Sequence, residues 1–226
     1  RTVPFLSKAT GLPLPKIATK VMLGHSLKEQ GYETGEAPRR KRWYVKAPVF
    51  SFSKLRGADV YLSPEMKSTG EAIGYDDSLN RALYKALKAA NMRVANYGTV
   101  FVTIADDDKP QALPLIRRFY NLGFNIEATL GTAKFLRENG VRTRGKKKLS
   151  EGSEEILDTM RAGHVTYVIN TLGANEWANN DGFEIRRCAV ENNVTMFTSL
   201  DTVSVLLDVL EEITVGVSTI DSEGKK

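Results

Sequence analysis

Phe124-Asn125-Ile126-Glu127-Ala128-Thr129-Leu130-Gly131-Thr132 is the stretch on which the fold turns. Phe124, Ile126 and Ala128 alternate with polar residues, which predicts a strand ending at Thr129, and Leu130, Gly131 and Thr132 open a helix. A strand that runs straight into a helix leaves backbone N–H groups without intrahelical partners and sets a positive dipole end beside threonine hydroxyls. Such a place suits a phosphate. Thr-x-Gly-Thr also recurs in ordinary α/β turns, so its surroundings must separate an anion pocket from a structural turn.

Those surroundings alternate regularly. Val100 to Ala105 reads as a strand, Pro110 to Leu122 as a helix ended by Gly123, and Thr132 to Asn139 as a helix stopped by Gly140. A short, weak strand falls within Val141 to Leu149, and Ser153 caps a helix with Glu154 and Glu155 in its first turn and Gly163 at its end. Val165 to Asn170 is a strand, Asp181 to Glu191 a helix, Val194 to Thr198 a strand, and the region around Val203 to Ile213 a long helix. Pro114 is a local misfit in its helix, and Ser218 to Lys226 reads as a frayed tail.

Strands alternating with helices in this way predict an α/β fold, a five-stranded parallel, doubly wound sheet whose ligands bind beyond the carboxyl ends of the strands. The residues falling at that rim are Thr103, Lys109, Thr129, Gly131, Thr132, Lys146, Lys147, Lys148, Asn170 and Thr171. A lysine at a helix start opposes the dipole, so Lys109 makes sense with an anion between the two. The rim therefore favours the anion pocket over the plain turn.

Upstream, residues 1 to 34 carry two short helices: Val3, Phe5 and Leu6 lead to Gly11, and Ile17, Val21 and Met22 close at Gly24. His25 follows in a polar loop and reads as solvated. Arg39 to Arg42 precede Trp43 and Tyr44, which is either a charged loop entering a strand from Tyr44 to Phe52 or a surface for a nucleic-acid strand; the loop is preferred. Between Leu55 and Asp77, Ser68-x-x-Glu71 matches a helix capping box, although Gly74 follows soon after. Ser78 to Met92 is a helix with Leu79, Ala82, Leu83, Ala86 and Leu87 on one face, and Asn91 to Tyr97 is the expected domain junction.

The 226 residues, 42% apolar, suffice for two modest units with cores. Thirty-two basic against 27 acidic residues is too small an excess to require nucleic acid, and it is compatible with small anions. Cys188 is alone, and no apolar run approaches a membrane span or a secretory segment, so a cytoplasmic location without membrane partners is expected. Because the chain opens with Arg1, it reads as part of something longer.

The string Thr2-Val3-Pro4-Phe5-Leu6-Ser7-Lys8-Ala9-Thr10-Gly11, the stretch Pro64 to Glu71, Thr129-Leu130-Gly131-Thr132 and Val168-Ile169-Asn170-Thr171 together resemble the C-terminal part of the carbamoyl-phosphate synthase large subunit, from Arg1 to about Ile213. The resemblance implies that residues 1–96 finish an ATP-grasp unit as a mixed helical and strand remnant. Residues 97–226 would be a methylglyoxal-synthase-like allosteric domain. The family's metal-binding Asn-Pro-Arg stretch would precede Arg1, so this chain itself would hold no cofactor or metal and would not catalyse. ATP with Mg2+ or Mn2+, and a glutamine-hydrolysing small subunit, belong to the full enzyme of pyrimidine and arginine biosynthesis; self-association is left open. Carried over by position, effector-binding residues fall on Thr103, Lys109, Thr129, Thr132, Lys148, Asn170, Thr171 and Asp181, with Gly131 in the same turn. Ala47 and Met196 stand where ornithine-activated members have an acidic residue and a tyrosine, so the implied ligands are UMP and phosphoribosyl pyrophosphate or a purine nucleotide.

Two other functions compete. Methylglyoxal synthase eliminates phosphate from a triose phosphate on the same fold, but Leu130 occupies the position of that family's histidine, and no carboxylate obviously replaces the missing base. A nucleic-acid binder would use Arg39 to Trp43. Cys188, on a helix face with Ile185 and Ala189, reads as core, and His164, just past Gly163, as surface.

Overall fold

Contacts sort the chain into two units, Arg1–Val49 with Ser68–Asn91, and Phe50–Lys67 with Met92–Lys226. The computed structural model describes residues 2–33, 35, 40–54, 60, 64–173 and 180–215. Arg39 and the stretch Ser218 to Lys226 lie outside the described residues. In the first unit α1 (Thr2–Thr10) and α2 (Leu14–Met22) are the two expected helices, with Pro15 at the start of α2, where a missing backbone donor costs nothing. His25 is exposed.

β1 (Trp43–Val49) pairs antiparallel with β2 (Gly70–Asp76), Trp43 opposite Asp76 and Val49 opposite Gly70. The capping-box reading of Ser68-x-x-Glu71 is therefore corrected: Glu71 lies in β2, and the partner strand outweighs the local helix signal. α3 (Leu79–Ala89) follows, Ser78 accepting from the backbone N–H of Arg81. A Cβ on Gly74 would lie 2.1 Å from the carbonyl oxygen of Ala82 and 2.4 Å from the nitrogen of Ala86. This glycine is where α3 presses its backbone onto the strand. Ala47, Ala72, Ala86 and Ala90 form the small core there. The basic run before β1 is engaged locally, Arg42 with Asp77 at 3.1 Å and Arg40 with the Tyr44 hydroxyl at 3.4 Å.

In the second unit the expected alternation appears as β3 (Thr99–Thr103), α4 (Lys109–Asn121), β4 (Asn125–Thr129), α5 (Leu130–Glu138), β5 (Arg144–Lys146), α6 (Glu155–Arg161), β6 (Tyr167–Asn170), α7 (Asn180–Glu191), β7 (Thr195–Phe197) and α8 (Leu200–Val215). The strands form one parallel sheet in the order β5-β4-β3-β6-β7. One core cluster joins Phe101, Val168, Ile156, Met160, Ile185, Cys188 and Ala189, placing Cys188 in the interior. Elsewhere in the unit Phe119, Phe124 and Tyr167 meet, the first two edge-on at 5.3 Å. Pro114 lies inside α4, where burial of Ala112, Ile116 and Phe119 offsets the lost backbone donor. His164 is exposed just after α6. No described helix is long and apolar enough to cross a membrane.

This order sets the switch point of the sheet. From β3 the chain builds outward through β4 to β5, then returns to place β6 on the other side of β3. The switch point therefore lies between β3 and β6, and beyond their carboxyl ends is the crevice where such a sheet binds ligands.

Candidate functional site

At that crevice the ends of β3 and β6 are tied together: the Thr171 N–H donates to the Thr103 carbonyl at 3.2 Å, and the Ala105 N–H donates to Thr171 Oγ1 at 3.0 Å. Beyond them lies a cavity of about 140 Å³. All nine residues expected at the site line it: Thr103, Lys109, Thr129, Gly131, Thr132, Lys148, Asn170, Thr171 and Asp181.

Three helices begin at this cavity. Lys109 starts α4, Gly131 and Thr132 lie in the first turn of α5, and Asp181 and Gly182 in that of α7. No side chain caps α4 or α5. Thr129, the N-cap of α5, spends its hydroxyl on Thr132 Oγ1 at 3.3 Å, and both threonines are buried. A Cβ on Gly131 would meet nothing within 4 Å, so the helix start faces open space. Converging helix starts make the cavity electropositive before any side chain is counted.

The side chains sort into donors and their supports. Lys109 carries its ammonium at the rim, and Thr171 Oγ1, having accepted from Ala105, keeps its own proton to donate. Asn170 accepts from buried Arg186 Nη1 at 2.9 Å. Ser150 donates from its backbone N–H and its hydroxyl to Asp181 Oδ2, at 3.0 and 2.8 Å, which pins the loop after β5 to the start of α7. That loop bears Lys148, whose backbone N–H donates to Glu151 Oε2 at 2.8 Å while its side chain reaches the cavity.

The lysine run 146–148 does not act as a unit. Lys146 is buried inside β5, between Glu127 at 3.3 Å, Glu155 at 3.1 Å and Thr159 at 2.7 Å. Its expected place at the rim is corrected, because strand alternation turns it inward to two carboxylates. Lys147 is exposed. Only Lys148 of the three lines the cavity.

Asp106, Ser150 and Arg186 were missed in the sequence. Asp106 lines the cavity and pairs with Lys109. The Lys109 ammonium holds the Asp106 carboxyl below the usual carboxylate range, and the charge of Lys148 adds to the effect. The anion that Lys109 calls for is thus supplied in part by the protein itself. Its i,i+3 spacing was the readable signal. For Arg186 the signal is Gly182-x-x-x-Arg186, a glycine one turn below an arginine on the same helix. Among the described residues no group of His, Cys, Asp and Glu could hold a metal ion.

Residues 111–198 match the family model described as MGS-like domain. Methylglyoxal synthase from Elizabethkingia anophelis NUHP1 is a similar solved structure, 18% identical, with a TM-score of 0.44 over 50% of this chain and 79% of that one.

Proposed function

We propose that the cavity binds the phosphate of a nucleotide effector, and that the chain is the regulatory C-terminal part of a carbamoyl-phosphate synthase large subunit. One observation carries this reading: residues scattered from Thr103 to Asp181 meet at the sheet's switch point, around three helix starts that favour an anion. Lys109, Thr129, Thr132 and Lys148 would hold the phosphate, Asn170 and Thr171 would close the site, and Asp181 would lie nearer the sugar. On this reading residues 97–226 are the allosteric domain and residues 1–96 the end of an ATP-grasp unit. ATP, its metal and the glutamine-hydrolysing partner act elsewhere in a larger cytoplasmic enzyme. The effector regulates by binding one state of that enzyme better than another. Calorimetric titration of the chain with UMP, IMP and phosphoribosyl pyrophosphate tests it: one of the three should bind saturably, and a flat response to all would contradict the proposal.

A second reading is a methylglyoxal-synthase-like lyase, favoured by the carboxylates of Asp106 and Asp181 in the cavity. Neither is poised as a base: the lysine pair makes Asp106 a weak one, and Asp181 already accepts two hydrogen bonds from Ser150. Leu130, 44% exposed at the start of α5, offers no proton transfer. Methylglyoxal released from a triose phosphate by the wild type, and lost in Asp106→Asn, would establish the lyase.

A further inference from the structure

Asn170 and Arg186 are 3% and 4% exposed, and the guanidinium donates to the amide oxygen. A guanidinium has donors only, so the end of Asn170 that faces it must be the carbonyl oxygen. The NH2 group is thereby turned the other way. Asn170 lines the cavity, with Nδ2 3.8 Å from where a Cβ on Gly182 would stand. The same missing Cβ leaves room for the arginine, because it would come within 3.0 Å of Arg186 Nη1. Gly182 and Arg186 are one turn apart on α7, so helix geometry delivers the guanidinium over the glycine to the end of β6. Burying a guanidinium is costly unless it is well hydrogen-bonded, and an amide needs no such partner merely to pack.

We infer that Arg186 is a positioning residue of the anion site: it locks the Asn170 amide with its NH2 toward a bound phosphate and forbids the flipped orientation. This rests on the cavity being a phosphate site. Flipped, Asn170 would set a carbonyl oxygen against an anion, turning a donor into a repulsive contact. Gly182 belongs to the same device, since a Cβ there would stand 3.0 Å from Arg186 Nη1 and crowd the guanidinium where it meets the amide.

Asn170→Asp separates positioning from mere structural support. The aspartate still accepts from Arg186, now as an ion pair, but shows the cavity a carboxylate oxygen in place of NH2. The 226-residue chain is titrated with inorganic phosphate and with UMP, as wild type, Asn170→Asp, Arg186→Lys and Arg186→Gln, with melting followed for each. Asn170→Asp should melt at or above wild type yet bind phosphate roughly ten- to a hundredfold more weakly. Arg186→Lys, which remains donor-only, should keep more affinity than Arg186→Gln, which lets the amide flip. In the wild type, the side-chain NH2 resonances of Asn170 should shift as phosphate is added. Wild-type binding with unchanged affinity in Asn170→Asp, or with unmoved Asn170 NH2 resonances, overturns the inference and leaves the phosphate site standing. Absence of phosphate and UMP binding in the wild type overturns both.

Discussion

Replacing each cavity lysine in turn by methionine should cost unequal amounts of nucleotide affinity. The Lys109 side chain is 18% exposed, pairs with Asp106 and has its ammonium 5.9 Å from the centre of the Phe135 ring, so it is already held near the cavity. A charge-assisted hydrogen bond from it to the proposed phosphate would contribute about 1.5 to 3 kcal/mol, and Lys109→Met should weaken UMP roughly ten- to a hundredfold. Lys148 also lines the cavity but is exposed, and its anchor is the backbone N–H bonded to Glu151, so its side chain is less firmly held than that of Lys109. Fixing that side chain costs up to about 2 kcal/mol of rotamer entropy, which offsets most of the same bond, so Lys148→Met should cost roughly three- to tenfold. Asp106, paired with Lys109, would compete with the proposed anion for it, and Asp106→Asn should strengthen binding a few-fold. Calorimetry at one fixed ionic strength is the assay, since screening alters every lysine contribution. A larger loss from Lys148→Met than from Lys109→Met, or weaker binding by Asp106→Asn, refutes the reasoning.

Arg118 on α4 grips α8 through Glu211 at 2.7 Å and Asp208 at 2.6 Å, and Arg118→Met should cost about 1 to 2 kcal/mol of stability, read as a melting point lower by about 2 to 8 °C. The pair with Arg118 lowers the Glu211 carboxyl below its usual 4.5. Its contribution is therefore present above that pH and lost as acid titrates through the depressed value, so melts of wild type and Arg118→Met should differ at pH 7 and converge well below pH 4.5. No convergence in acid would mean the gap comes from packing alone. Gly74→Ala drives a methyl into the backbone of α3 and should destabilise the first unit by about 2 to 4 kcal/mol, seen as faster amide exchange in α3; unchanged exchange there would contradict the contact.

Much of the second unit was legible because its determinants are local. β3, β4 and β6 are short apolar runs, and Gly123, Gly140 and Gly163 punctuate the helices between them. Rim residues followed from topology, since a parallel sheet sends its strand ends to one side. β2 escapes a reading of the sequence because Gly70, Ala72 and Gly74 have little strand propensity, and its partner β1 ends at Val49, far back along the chain. Lys146 was grouped with its neighbours because three consecutive lysines look alike in sequence. What distinguishes it is its burial among Glu127 of β4 and Glu155 and Thr159 of α6, which the sequence does not place beside it. Arg186 and Arg187 pose the same problem on α7: one is buried against Asn170, while the other pairs with Glu184 and Glu191 near solvent.

The proposed phosphate site lies at the start of α5, at the switch point of the sheet. Adding UMP to the 15N-labelled chain while following backbone amides tests it most directly. Gly131, Thr132, Thr171 and Gly182 should shift together along one saturable curve, with Lys41, Arg42 and Trp43 unmoved. Shifts confined to residues 41–43, or an unmoved Gly131 and Thr132 at saturating nucleotide, would contradict it.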